Sequence, residues 1–129
     1  MTQVFDASAV LAVIFEEPGA DQVEAFWAEG DNLLCAVNYA EIVAKLAERG
    51  IVDAEIATVL EGIPIDVIPF DRRSAHQAGL LRPATKALGL SLGDRACLAL
   101  GIIREARVVT ADRGWKKVTG VDVEVEVVR

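Results

Sequence analysis

The sequence predicts an α/β fold, a parallel sheet with helices on both faces, and three observations carry that prediction. Short β-prone or apolar runs alternate with helical segments along the whole chain, and each parallel return between strands requires such a crossover. One segment, Ser91 to Glu105, has an almost continuous apolar interior from Ala96 to Ile103, as expected of a helix packed between a sheet and another helix. Finally, 129 residues, 53% of them hydrophobic, make one domain with ample core at roughly 100 to 200 residues per domain. The chain is therefore read as a single domain over 1–129 with no internal repeat.

The elements follow in order. Gln3 to Asp6 is a β-prone run, and Ala7 to Phe15 a helix that Pro18 and Gly19 break off. Asp21 to Glu29 is a second helix closed by Gly30, and Asn32 to Ala36 a short buried run whose length suits a strand. From Asn38 to Arg49, Ile42, Val43, Leu46 and Ala47 recur at helical spacing, with Asn38, Glu41, Lys45 and Glu48 on the opposite face and Gly50 as the cap. Asp53 to Leu60 reads as a helix, Ile65 to Pro69 as a strand, and Arg72 to Leu88 as a long helix with Pro83 as its point of bending. Ser91 to Glu105 should be the most buried helix. Arg107 to Thr110 is a strand, Asp112 to Lys117 a short helical turn, and Val121 to Val128 a half-exposed strand whose Asp122, Glu124 and Glu126 face water and discourage edge pairing.

Charge and composition exclude several function classes. Thirteen Lys and Arg against 20 Asp and Glu leave a net charge of −7, the wrong sign for holding polyanions by charge alone. The apolar runs Ala9–Phe15 and Ala96–Ile103 fall far short of the roughly 18 residues that cross a bilayer. Asp6 is the first charged side chain and Lys45 the first basic one, so a secretory signal is not expected and the cytoplasm is. Cys35 and Cys97 sit in apolar surroundings, which suits two reduced core thiols better than a disulfide. His76 is the single histidine, so neither a His-rich zinc site nor a Ser-His-Asp triad has its partners.

In open α/β sheets ligands gather at the carboxyl ends of the strands. Asp6 follows the first strand, Glu41 lies in the helix after the second, Asp94 opens the buried helix, and Asp112 follows the Arg107–Thr110 strand. Each has an ordinary explanation: Asp6 and Asp112 as helix caps, Ser91 to Asp94 as a capping box, Glu41 as a partner of Lys45 one turn on. Jointly they point elsewhere. Two carboxylates at about 4 Å repel by roughly 4 kcal/mol at an effective dielectric near 20, so a cluster of four calls for a cation. Oxygen ligands select hard ions such as Mg²⁺ or Mn²⁺, whose shell is completed by water and substrate phosphate.

Four blocks carry a resemblance in the same order: Val4-Phe-Asp-Ala-Ser8, Asn38-Tyr-Ala-Glu41, Ser91-Leu-Gly-Asp94 and Val109-Thr-Ala-Asp-Arg-Gly-Trp115. Together they look like the acidic blocks of PIN-domain nucleases, and the size and early first Asp look most like the VapC toxins of toxin–antitoxin pairs. The resemblance implies a three-layer sandwich with a parallel sheet in the order 3-2-1-4-5 and a Mg²⁺- or Mn²⁺-dependent endoribonuclease. It also implies an acidic quartet of Asp6, Glu41, Asp94 and Asp112, with Asp6, Asp94 and Asp112 on the metal and Glu41 acting on the attacking water. Ser8, Asn38 and Thr110 match the small polar residues that help fix the quartet. Where many relatives carry Asp-Ala, this chain has Asp94-Arg95, which puts a guanidinium beside the acid; Arg95 and Arg113 are candidate phosphate contacts, and Lys116 and Lys117 stand near them. Trp115 is a candidate for base stacking or for the core. The expected partners are an RNA substrate, a cognate VapB-type antitoxin and a second copy of the chain in a homodimer, with no membrane.

Competing readings are a PIN nuclease that is not a toxin, a catalytically silent binding module, and a Mg²⁺-dependent phosphatase or receiver domain. The last two fit less well: the phosphatase pattern wants an acid two residues after the first, where Ser8 stands, and no Lys closes a late strand as receivers need.

Overall fold

A computed structural model describes all residues, Met1 to Arg129. Five parallel strands form one sheet in the order β3-β2-β1-β4-β5, as expected. They are β1 (Thr2–Phe5), β2 (Asp31–Cys35), β3 (Asp66–Ile68), β4 (Arg107–Thr110) and β5 (Val125–Val127). Between them run α1 (Ala7–Ile14), α2 (Ala20–Trp27), α3 (Ala36–Glu48), α4 (Asp53–Glu61), α5 (Arg72–Leu80), α6 (Arg82–Thr85) and α7 (Leu92–Arg104). No helix is long and apolar enough to cross a membrane.

Alternation along the strands splits the core into two layers. Val4, Leu33, Cys35 and Val108 pack with Cys97, Leu98 and Leu100 of α7 and Ala78 of α5 on one face. Phe5, Leu34 and Val109 pack with Val10 of α1, Val23 of α2, Ile42 and Leu46 of α3 and Ile56 of α4 on the other. The period of two sends neighbouring strand residues to opposite faces, so each strand serves both cores. Helix α7 is buried from Ala96 to Gly101, and a Cβ on Gly101 would stand 2.6 Å from Val108 Cγ2, so the missing side chain sets how closely this helix lies on β4. Both cysteines are buried there.

Two expectations are corrected. The long helix over 72–88 is three pieces: α5 ends at Leu80, α6 spans Arg82–Thr85, and a 3-10 turn occupies Lys86–Leu88. Pro83 lies in the first turn of α6, where no backbone N–H is needed, so it starts a new helix rather than bending an old one. The final strand is Val125–Val127 alone. Gly120 at φ +71° and the Val123 N–H to Val121 carbonyl bond (2.9 Å) curl the chain ahead of it.

Candidate active site

The first acid is fixed by the chain's own start. Asp6 ends β1 and caps α1, accepting the Ala9 N–H at 2.8 Å. Ser8 donates to the same carboxylate at 2.7 and 2.9 Å, and Thr110, at the end of the neighbouring β4, donates to Oδ2 at 2.6 Å. These donors are all neutral, and Asp6 is only 4% exposed. Burial therefore dominates and pushes Asp6 from 3.8 up to about 6; the hydrogen bonds from Thr110, Ala9 and Ser8 oppose the shift and the Asp94 charge adds to it.

The second acid sits on α3. Asn38, buried, donates through Nδ2 both to Glu41 Oε1 at 2.8 Å and to the Gly93 carbonyl at 3.0 Å, tying α3 to the start of α7. Glu41 does not pair with Lys45 in either ion pair of the fold. Its carboxylate lies where a side chain on Gly93 would be, with Glu41 Oε1 2.5 Å from the position of a Cβ there. Gly93 escapes sequence reasoning, although a glycine in the first turn of a helix, costing about 1 kcal/mol against alanine, signals a close approach.

Asp94 makes the expected capping box: its Oδ2 accepts the Ser91 N–H at 2.9 Å, and its own N–H donates to Ser91 Oγ at 3.2 Å. Asp112, exposed, caps the 3-10 turn Arg113–Lys117 by accepting the Gly114 N–H at 2.8 Å, and its N–H donates to Thr110 Oγ1 at 3.0 Å. Ser8 Oγ also accepts the Ala111 N–H at 3.0 Å. Ser8 and Thr110 thus lace the end of β1 to the end of β4.

All four acids stand at the carboxyl end of the sheet, but no three of them are grouped closely enough to take one ion as they stand. Asp94 and Asp112 are each turned to a backbone N–H of their own segment. The donor set nonetheless fits a hard divalent ion held partly through water: every donor is a carboxylate oxygen, and the buried Asp6 has neither a basic hydrogen-bond partner nor an ion pair. The Cys97 thiol, fully buried behind the site, is pushed well up chiefly by burial and then by Asp6, with Asp94 and Glu41 adding to the effect. Such a thiol is inert.

The remaining candidates are less central. Arg95 donates through Nη1 to the Ala78 carbonyl at 3.2 Å, which binds α7 to α5. Arg113, Lys116 and Lys117 are exposed. Trp115 is 1% exposed and belongs to the core, so it is not an open stacking platform.

A family model for the PIN domain matches residues 4–121. The chain belongs to the PIN domain family. No curated protein sequence matches it, but solved PIN-fold structures do. DNA-bound VapBC from Salmonella typhimurium superposes with a TM-score of 0.74 at 16% identity, covering 100% of this chain and 99% of the other. VapBC2 from Rickettsia felis, bound to a promoter DNA fragment, gives 0.73 at 16%, covering 98% of each chain. FitAcB from Neisseria gonorrhoeae gives 0.68 at 21%, covering 96% of each. This PIN domain thus shares its fold, end to end, with chains of the VapBC and FitAcB structures.

Proposed function

We propose that this PIN domain is a metal-dependent endoribonuclease, the VapC-type toxin of a toxin–antitoxin pair. The observation that carries the reading is Asp6, a buried carboxylate at the carboxyl end of the sheet with Asp94 nearby and no counter-cation. The shared fold with VapBC and FitAcB chains supports the toxin assignment and a VapB-type antitoxin as partner; a homodimer of the toxin belongs to the same proposal.

Asp6, Asp94 and Asp112 would hold Mg²⁺ or Mn²⁺, directly or through water. When bound, the ion offsets charge on the phosphoryl oxygens and makes an attacking water more acidic. Ser8, Thr110 and the Ala9 N–H orient Asp6 by bringing three protons to its two oxygens, which leaves about one of the four lone-pair sites to face the ligand. Asn38 fixes Glu41 through Oε1, and Glu41 takes the proton from the attacking water. Arg113 and the Nη2 end of Arg95, whose Nε is buried and whose Nη1 is engaged by Ala78, contact phosphate. No side chain becomes covalently attached to the substrate.

The test is end-labelled RNA incubated with the protein in Mn²⁺ and in chelator. Cleavage in Mn²⁺ alone is expected, reduced at least about 100-fold in Asp94→Asn, or roughly 2.7 kcal/mol of transition-state stabilisation. Intact RNA in Mn²⁺, or full cleavage by a folded Asp94→Asn protein, overturns the reading. Acyl-phosphate formation on Asp6 would replace it with the receiver alternative. Co-purification with the product of the adjacent gene tests the antitoxin.

A further inference from the structure

Cations are unevenly distributed along this acidic chain. From Arg72 to Gly93 it carries Arg72, Arg73, Arg82 and Lys86 and no Asp or Glu, although the whole sequence has 20 acids against 13 bases. All four cations are exposed. The two ion pairs of the fold, Arg107–Glu29 and Arg129–Glu17, use none of them. On α5 the inward positions are Ser74 and Ala78, continued by Leu81, while Arg72, Arg73 and His76 turn to solvent. None of the four is therefore in an ion pair, and only Arg73 has an acid close by, Asp71, the residue that caps α5.

Topology places this basic face beside the acids. Helix α5 begins four residues after β3 ends, and Ile68 of β3 is in register with Cys35 of β2, the strand that feeds Asn38 and Glu41. Farther along, Ala78 of α5 accepts the hydrogen bond from Arg95, the residue after Asp94. The exposed cations of α5 and of α6 beside it thus flank α7, the helix that opens with Asp94, while the carboxyl-end acids stand without an ion pair as well. An acidic polypeptide would gain from the first and be repelled by the second. A polyanion with regularly repeated phosphates suits both, because one phosphate reaches the acids together with a divalent ion while its neighbours lie on the cations.

We infer that the α5–α6 face is the docking track for the backbone of single-stranded RNA leading into the acidic site. The inference rests on the nuclease reading, which names the polymer. The track raises affinity without taking part in bond cleavage, and each phosphate it neutralises adds to the salt dependence of binding.

The experiment measures fluorescence anisotropy of a labelled single-stranded RNA over a salt series, in chelator so that no strand is cut. The wild-type protein is compared with the quadruple variant R72E/R73E/R82E/K86E and its milder all-alanine counterpart; circular dichroism checks that each is folded. The expected result is a loss of affinity of at least about tenfold in the charge-reversed protein. The log–log salt slope should become shallower by roughly 0.7 for each phosphate that is no longer neutralised, and Mn²⁺-dependent cleavage of a trinucleotide should not change. Equal affinities and slopes across the three proteins, no RNA binding by the wild type, or tighter binding of polyglutamate than of RNA overturn the track. RNA binding that depends on these four residues without any cleavage in Mn²⁺ would keep the track and overturn the nuclease reading instead.

Discussion

The two ends of the sheet solve the problem of buried polar groups in opposite ways. At the amino end, Gln3 is fully buried and donates to the Phe26 carbonyl at 2.6 Å and to Asn32 Oδ1 at 2.9 Å, while Asn32 donates to the Trp27 and Pro64 carbonyls at 2.9 and 3.1 Å. Arg107 closes the network. Its Nη2 donates to Gln3 Oε1 at 2.6 Å and to Glu29 Oε2 at 3.0 Å, and its guanidinium lies 4.3 Å above the centre of the Phe26 ring. At the carboxyl end, Asp6 is buried among neutral donors, and Glu41 meets Asn38 and the Gly93 backbone. The first network balances its charge internally and is finished. The second carries carboxylates and no basic group, and under the proposed function it is the end that would hold a divalent ion.

The largest expected effect tests that electrostatic imbalance. Asp6 is held at about 6 in the fold against an ordinary 3.8, so between these values the folded state keeps a proton that the unfolded chain has lost. Stability from this group is therefore greatest below about pH 4, falls as pH rises through that window, and stays low above it. Relative to wild type, Asp6→Asn should gain up to about 3 kcal/mol between pH 4 and pH 7.5. Saturating Mg²⁺ or Mn²⁺ should recover the loss in the wild type and not in the variant. Denaturant titrations at both pH values measure this, and parallel pH profiles for the two proteins would mean that Asp6 is not strained by its own charge.

At the finished end the expectation reverses. Arg107→Met keeps much of the stem over Phe26 but leaves the buried Gln3 Oε1 without a donor, a loss of about 1 to 3 kcal/mol. That loss should be the same at pH 4.5 and pH 7.5, indifferent to divalent ions, and silent in RNA cleavage measured below the melting temperature. A cleavage defect in this variant would show that the two ends are coupled and that the contrast between them is wrong.

Much of this architecture is legible in the sequence because it rests on periodicity. The alternation of elements, the buried run Ala96–Ile103 and the order of the acidic blocks place five strands, α7 and the carboxyl-end acids where they stand. The 72–88 segment reads as one helix because helix propensity and a basic face continue through it, while the break depends on Pro83 falling in a first turn, which only the position of α5's end decides. The last strand reads too long because Val121–Val127 alternates faultlessly, yet a turn at Gly120 and Val121–Val123 takes up its start. In the site, residue identity carries Asp6 and its donors. The approach of Glu41 to Gly93 leaves only the glycine itself as a trace in the sequence, because it spans two helices whose crossing distance no local pattern encodes.

That approach gives the smallest and most discriminating prediction. Gly93 is helical, so alanine there meets no backbone strain and should, on helix propensity alone, stabilise the fold by up to about 1 kcal/mol. The Cβ would, however, occupy the place of the Glu41 carboxylate, and the end of a flexible side chain moves where backbone would not. Gly93→Ala should therefore leave the melting temperature unchanged or raised while lowering Mn²⁺-dependent cleavage by about tenfold, near 1.4 kcal/mol. Shortening the acid by one methylene makes room again. In the Gly93→Ala background, Glu41→Asp should cost less than it does alone, a positive coupling in a double-mutant cycle. Additive losses would place Gly93 in the packing of α3 on α7 and remove it from the positioning of Glu41.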